Sequence, residues 1–347
     1  MVILRNMELK KIIFQLEKGN FTREELLFLL QMDHAEPLFL SAEKIRDEKV
    51  GKEIHLRGII EFSNKCNQDC LYCGVRASNT KVKRFSIEVD EIISIASKAI
   101  SSGLKTVVLQ SGCSHGYEIN KLCEIVRGIR KAGAVVTLSL GEMDRTSLGK
   151  LKFAGAQRYL LKHETCDENL YRFLKPRREL SERIECHRIL KDLDYQVGSG
   201  IMIGLPDQTI ESIAEDLILF HRMNYDMLGI GPFIPHRDTP LNKAAPETSE
   251  LVLRVIAISR LLLKTIHIPA TSAFLLNNPI NGLLRAFRAG ANVLMCNLTP
   301  EQYHQDYSIY PGRKKNALTV GEIMRQSKTQ IENCGYTLSS GYGHRIK

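Results

Sequence analysis

The sequence predicts an α/β fold, a complete (β/α)8 barrel of the TIM type with an N-terminal helical cap and a short C-terminal extension. Three observations predict it. From about residue 55, short apolar runs alternate with amphipathic segments at intervals of roughly 25 to 40 residues, the rhythm of repeated βα units. Eight of these runs read as strands, and eight is the number at which such units close on themselves. The chain has 347 residues, 44% of them hydrophobic, enough to bury a core of that size.

Residues 1–50 hold two or three helices, with a cap at Asn20, Phe21 and Thr22 and no strand-like run, and read as a helical cap packed on the barrel. The barrel is expected over 51–300. Its strands fall at His55 to Phe62, Thr106 to Leu109, Val135 to Ser139, Arg158 to Leu161, Gln196 to Ile203, Met227 to Ile230, Ile266 to Thr271 and Asn292 to Met295. The first intervening helix shows the local chemistry. Ser86 is placed to cap it, Glu88, Asp90 and Glu91 set negative charge at its positive end, and Ile92, Ile95, Ala96, Ala99 and Ile100 form one apolar stripe. Gly103 then ends the helix, and the next strand follows at once. Residues 301–347 are more polar. Tyr303, Tyr307, Tyr310, Pro311 and Gly312 mark a loop, a last helix lies near Thr319 to Asn333, and Ser339 to Lys347 read as a frayed tail.

Composition narrows the function. No run of eighteen apolar residues occurs, and Met1 to Lys18 mixes charges among its apolar residues, which points to a soluble, cytoplasmic protein with no membrane partner. Nine cysteines, an odd number, do not make a disulfide framework in a reducing compartment. The net charge of +9 is spread out, with only short clusters such as Lys81 to Arg84 and Arg313 to Lys315, so no basic stripe argues for nucleic acid, while an anionic small substrate fits.

Directly after the first barrel strand the chain reads Cys66-Asn-Gln-Asp-Cys70-Leu-Tyr-Cys73-Gly74, three thiols in one short loop. Soft thiolates suit an iron–sulfur cluster or zinc. A structural zinc site takes four protein ligands, and no second Cys or His pair at ligand spacing follows. Three thiolates leave one iron of a four-iron cluster open to an outside ligand, and the end of a barrel strand is where such folds keep their chemistry. Asn64, Lys65, Asn67, Gln68 and Asp69 make the loop too polar for a core, so simple burial of these cysteines is the weaker explanation. Cys70 and Cys73 also have the spacing of a thiol redox pair, but Cys66 makes the pair a triplet.

This Cys-x-x-x-Cys-x-aromatic-Cys pattern resembles the signature of the radical S-adenosylmethionine (SAM) superfamily. The resemblance implies a 4Fe-4S cluster whose open iron binds the amine and carboxylate of SAM, with one-electron cleavage of SAM to methionine and a 5′-deoxyadenosyl radical; the cofactors carry the difficult step and the protein binds, orients and excludes water. Further stretches resemble the HydE family of FeFe-hydrogenase maturation enzymes, relatives of biotin synthase and methylornithine synthase. They are Leu109-Gln-Ser-Gly112, Thr137-Leu-Ser-Leu-Gly-Glu142, Arg158-Tyr-Leu-Leu-Lys-His-Glu-Thr165, Gly229-Ile-Gly-Pro-Phe-Ile-Pro-His236, Ile268-Pro-Ala-Thr271 and Tyr310-Pro-Gly312. The similarity spans about residues 45 to 312 and implies a barrel enclosing a cavity, an iron-carbonyl-cyanide cysteine synthon or other small molecule as substrate, an electron-donor protein, and other hydrogenase maturation factors as partners.

Carried onto this sequence, the resemblance makes Glu164 a partner of the SAM ribose or amine and Arg183 the partner of its carboxylate, roles that suit an acceptor carboxylate and a two-pronged guanidinium. Ser111, Met227 and Tyr307 match positions lining the same site, and Tyr72 would pack beside the adenine. Gln110, Thr137, Lys162, Thr271, Ser272 and Met295 match positions facing the substrate cavity; polar groups there contrast with the branched apolar filling of an ordinary barrel. His163 and His236 have no second ligand at helical spacing and read as structural. Cys113, Cys123, Cys166, Cys186, Cys296 and Cys334 read as incidental thiols, and with Cys334 alone in the C-terminal segment no second cluster is expected.

The chain also departs from the family. Lys162 stands where arginine is typical, keeping the charge but not the fork. Cys296 and Leu298 replace a common proline and tryptophan, which leaves a different small-molecule substrate open. A biotin-synthase or methylornithine-synthase type of reaction, or a non-catalytic iron–sulfur scaffold, are the alternatives that remain.

Overall fold

The structure, a computed structural model, describes residues 2–114, 116–244, 249–312 and 318–346, with only the backbone for 2–7. The basic cluster Arg313 to Lys315 lies outside the described residues. Strands among the described residues are, in chain order, β1 (Glu53–Ser63), β2 (Thr106–Ser111), β3 (Val135–Ser139), β4 (Ala156–Leu160), β5 (Gln196–Ser199), β6 (Met202–Ile203), β7 (Met227–Leu228), β8 (Gly231–Pro232), β9 (Pro269–Ala270), β10 (Val293–Asn297) and β11 (Thr337–Leu338). Eight of them run parallel in the order β7-β5-β4-β3-β2-β1-β10-β9. A single parallel bridge, Met227 to His267, joins the two ends and completes the ring. Each of the eight expected strands has its counterpart in this barrel.

Side-chain alternation explains both faces of the barrel wall. Ile60 and Phe62 of β1, Val107 and Leu109 of β2, Val136 and Leu138 of β3, and Leu294 and Cys296 of β10 join the main apolar core with the outer helices. Their alternates, Glu61, Gln110, Thr137 and Asn297 among them, face the other way, so the interior carries polar groups where a filled barrel would carry branched apolar ones.

Three helices, Val2–Lys18, Arg23–Gln31 and Glu36–Val50, precede β1. Thr22 caps the second through a reciprocal capping box with Glu25. Their apolar faces join the core, and Arg254, from the buried helix Ser249–Leu262, donates to Leu30 O at 2.9 Å. The last long helix, Val320–Asn333, has a capping box between Thr319 and Glu322. Among the described residues no helix is long and apolar enough to cross a membrane.

Three local expectations are corrected. Ser86 does not cap the helix Val89–Ser101: an antiparallel bridge draws it back to β1, its hydroxyl meets Ser63 Oγ at 3.0 Å, and Glu88 takes the cap position. The run Gln196 to Ile203 divides into β5 and β6 at Gly200, where a Cβ would lie 2.1 Å from Gly229 O, so two backbones meet at a point only glycine allows. The tail does not fray. Tyr342 O accepts from Arg158 Nη2 at 2.7 Å and from Thr106 Oγ1 at 3.1 Å, and Arg345 donates to Tyr225 O at 2.9 Å, which seats the C-terminal residues against the N-terminal ends of the strands.

Candidate active site

The cysteine loop is built on its own backbone at the C-terminal end of β1. Arg84 donates to the carbonyls of Asn64, Val75 and Arg76 at 2.7 Å each, and the buried Asn64 side chain holds Lys83 O, Asp306 O and Phe85 N–H. Ala77 N–H closes on Gln68 O at 2.8 Å, and Leu71 N–H reaches Leu174 O at 2.9 Å, tying the loop to the helix Glu168–Leu174. Two glycines make room. A Cβ at Gly74 would lie 2.0 Å from Ser308 O, and one at Gly112 would lie 2.3 Å from Lys65 O.

Cys66, Cys70 and Cys73 are half-buried free thiols. Gln68 N–H and Cys113 N–H donate to Cys66 Sγ at 3.4 and 3.5 Å. The Cys113 thiol beside it, together with these two amides, outweighs burial and brings Cys66 down to about 6. Burial and the neighbouring Cys70 push Cys73 up to about 12. Among the described residues no three Cys, His, Asp or Glu side chains converge as ligands of one ion would.

Facing the loop is a group of charged side chains. Glu164 follows β4 with a left-handed backbone, φ 69°, fixed by Glu164 N–H to Gly200 O at 3.0 Å and Met202 N–H to Glu164 O at 3.1 Å. That turn aims its carboxylate at the loop. Tyr72 O–H reaches Oε1 at 3.5 Å, and Lys162 Nζ lies 3.3 Å from Oε2. Burial alone would raise Glu164, but the charges of Lys162, Lys175 and Arg183 hold it below the usual carboxylate range. Arg183, buried, binds Glu142 Oε1 at 2.7 Å and Lys162 O at 3.0 Å. Glu142 is likewise held low, Arg183 and Lys175 overriding its burial.

The structure therefore brings together Cys66, Cys70, Cys73, Tyr72, Lys162, Glu164 and Arg183. Ser111 ends β2 just before Gly112 and donates to Gly112 O at 2.8 Å. Tyr307 is buried in the segment that packs over the loop through Gly74 N–H to Ile309 O. Gln110, Thr137 and Met295 lie on the inward-facing set of their strands, and Thr137 Oγ1 is buried with no hydrogen-bond partner. Three expected positions lie elsewhere or are otherwise engaged. Met227 starts β7, and its sulfur accepts from Arg57 at 3.0 Å in the lower half of the barrel, so it is not brought to the cysteine loop. The Thr271 hydroxyl caps the helix Ser272–Asn277 and donates to Ile230 O at 3.2 Å, and Ser272 is exposed at the start of that helix.

His163 is enclosed between Ser199 and Asp216, at 2.8 and 2.9 Å, and His236 contacts Ser308 at 3.1 Å, both positions that hold structure. The sequence reading did not single out Glu142, Lys175 or Cys113 for this site. Glu142 closes one of the motif stretches and could have been found there; Lys175 carries no motif, and Cys113 shows no ligand spacing. A surface cleft lined by Leu180, Ser181, Glu215 and Arg222 lies among the outer helices and includes none of the site residues.

A resident cluster and SAM fit what these residues offer. The thiol set is three on one loop, and beside it Arg183 Nε is buried with no hydrogen-bond partner, while Glu164 Oε2 has only the Lys162 ammonium at 3.3 Å.

Comparison with known proteins agrees with this geometry. The sequence model described as the Radical SAM superfamily matches residues 60–220. The chain is 45% identical to the FeFe hydrogenase maturase subunit HydE of Thermotoga maritima over 307 residues, 88% of each chain. It is 28% identical to the 3-methylornithine synthase of Methanosarcina acetivorans, covering 82% of this chain and 81% of that one. Among solved structures, methylornithine synthase (PylB) superposes with a TM-score of 0.79 over 94% of this chain and 97% of that one at 24% identity. The hydrogenase maturase HydG gives 0.80 over 96% and 76% at 18% identity. Barrel and cysteine loop define a radical SAM enzyme, and the chain belongs to that superfamily. Within it the chain belongs to the HydE family. That membership implies a 4Fe-4S cluster and SAM.

Proposed function

We propose that this protein cleaves SAM reductively on a cluster held by Cys66, Cys70 and Cys73, and acts on a small substrate inside the barrel as a HydE-type step of FeFe-hydrogenase maturation. The observation that carries the reading is the meeting of Tyr72, from between two of the cysteines, with Glu164 at the end of β4. When bound, the cofactor pair supplies a 5′-deoxyadenosyl radical. The chain supplies everything around it. Glu164, anionic and turned inward, accepts from hydroxyl or ammonium groups; Arg183, steadied by Glu142 and Lys162 O, keeps a free N–H for a carboxylate; and the Tyr72 ring covers the adenine side.

Ser111 and Tyr307 complete the SAM surround in this reading, and Met227 is left out of it. Gln110, Thr137, Lys162 and Met295 line the substrate chamber, where the Lys162 charge suits a cyanide or carboxylate group. The barrel, 51–300, does the chemistry, while 1–50 brace its side and 301–347 close it. The reaction needs a cytoplasmic electron donor, and the 45% identity to HydE favours other hydrogenase maturases as partners.

The test is anaerobic reconstitution, followed by iron and sulfide analysis and by 5′-deoxyadenosine formation from SAM after dithionite, with Cys70→Ala in parallel. About four irons per chain, with product from the wild type alone, is the expected result. Bound zinc, or a cluster that leaves SAM intact, overturns the reading.

A further inference from the structure

Of the three cations Lys162, Lys175 and Arg183 at the site, Lys175 is the one with no ion pair among the described residues. It follows the helix Glu168–Leu174, is 6% exposed, and lies over two aromatic rings, 5.7 Å from the Tyr171 centroid and 5.9 Å from that of Tyr72. Its neighbour Leu174 receives the hydrogen bond from Leu71, so the lysine is fixed to the cysteine loop by backbone as well as by ring contact. The carboxylates at hand are engaged elsewhere. Glu142 is 2.7 Å from Arg183 and Glu164 is 3.3 Å from Lys162, and among the described residues no carboxylate pairs with Lys175.

An ammonium with no carboxylate in ion-pair contact is expensive to bury, and ring faces compensate only in part. Even so, Lys175 is held above the ordinary lysine range. Burial and Arg183 act against the charge, and Cys70, Tyr171 and Glu164 outweigh them. Around Tyr72 the three cations Lys162, Lys175 and Arg183 face only two carboxylates, Glu142 and Glu164, so the side chains other than the cysteines leave one positive charge over. Thiolates on iron are the anions that would answer it.

We propose that Lys175 is the counter-charge of the cluster: its ammonium, held against Tyr72 on the cysteine loop, offsets the cysteine thiolates and favours uptake of the electron. This rests on the reading that Cys66, Cys70 and Cys73 hold that cluster. Reduction adds one negative charge to a centre already anionic through its thiolates, and a fixed cation in a water-poor site stabilises the reduced state more than the oxidised one. Lys175 is thus a positioning residue for charge and touches no reacting atom.

The experiment compares wild type, Lys175→Met, Lys175→Gln and Lys175→Arg after anaerobic reconstitution, in the absence of SAM. It reads iron per chain and the midpoint potential of the cluster by redox titration. A wild type that holds no iron refutes the cluster reading itself and says so separately. With iron in place, the neutral variants should be at least tenfold harder to reduce, a midpoint about 59 mV more negative, and Lys175→Arg should restore the wild-type value. An unchanged midpoint in Lys175→Met or Lys175→Gln overturns the proposal, as does a Lys175→Arg midpoint displaced as far as theirs. If the neutral variants hold no iron while Lys175→Arg does, the positive charge is needed to keep the thiolate centre and the proposal stands; if all three lose iron, Lys175 is a packing residue and the proposal falls.

Discussion

Arg183 Nη2 lies 2.7 Å from Glu142 Oε1, while its Nη1 donates to Lys162 O at 3.0 Å, so one guanidinium joins the ends of two barrel strands. Both side chains are largely buried. Removing one member of such a pair leaves the other charge uncompensated, a loss of about 3 kcal/mol. Glu142→Ala should lower the unfolding free energy of the cluster-free protein by that amount in urea, with an unchanged m-value. Arg183→Lys keeps the charge but not the fork, and should weaken SAM binding to the reconstituted protein about tenfold or more, read by equilibrium dialysis.

The close approach at Gly74 sets up a contrast between two glycines. An added methyl would press on Ser308 O at 2.0 Å, a backbone atom that cannot swing aside, whereas Gly149, in the helix Arg145–Phe153, has nothing within 4 Å of its Cβ. Gly74→Ala should cost about 1–3 kcal/mol through overpacking and reduce the iron retained on reconstitution. Gly149→Ala should stabilise by about 0.5–1 kcal/mol through helix propensity and leave iron binding unchanged. Equal effects of the two would mean that the cysteine loop is not held against residue 308.

What the sequence revealed, and what it hid, follows from the range of the forces involved. The eight barrel strands were legible because each is an apolar run, and β2 follows at once on the helix stop at Gly103. The cysteine loop was legible because its ligands are contiguous. Ser86 was misread because its partner, Ser63, belongs to the preceding strand and won over the helix end. The C-terminal tail looked loose because its anchors, Arg158 and Tyr225, lie far away in the chain. Lys175 is hidden for the same reason: only the folded chain sets it over Tyr72.

A buried histidine gives the stability a pH dependence. His187 Nε2 donates to Leu161 O at 2.6 Å, its Nδ1 accepts from Tyr225 O–H at 2.7 Å, and burial, with help from His163, brings it down from 6.5 to about 3. Between those values the unfolded chain holds a proton that the native ring refuses, so stability falls as pH drops through that window and levels off below it. The contribution approaches about 1.4 kcal/mol per pH unit. His187→Gln should flatten the acid limb of unfolding free energy against pH by that slope between pH 6 and 4; a parallel limb would mean that the native ring is protonated like the free side chain.

Cys66 and Cys73 differ in thiol acidity although they share one loop. Cys66, at about 6, has the Cys113 thiol and two backbone N–H groups turned towards its sulfur, while burial and Cys70 push Cys73 up to about 12. The thiolate is the reacting form, so in cluster-free, reduced protein at pH 7 iodoacetamide should label Cys66 well before Cys73, as read by peptide mapping against time. Cys113→Ala removes the neighbouring S–H donor but keeps both backbone N–H groups. The labelling midpoint of Cys66 should then move to higher pH without reaching that of a free cysteine. A midpoint that does not move would assign the acidity to the backbone amides alone, and Cys113 would be a bystander at the end of β2.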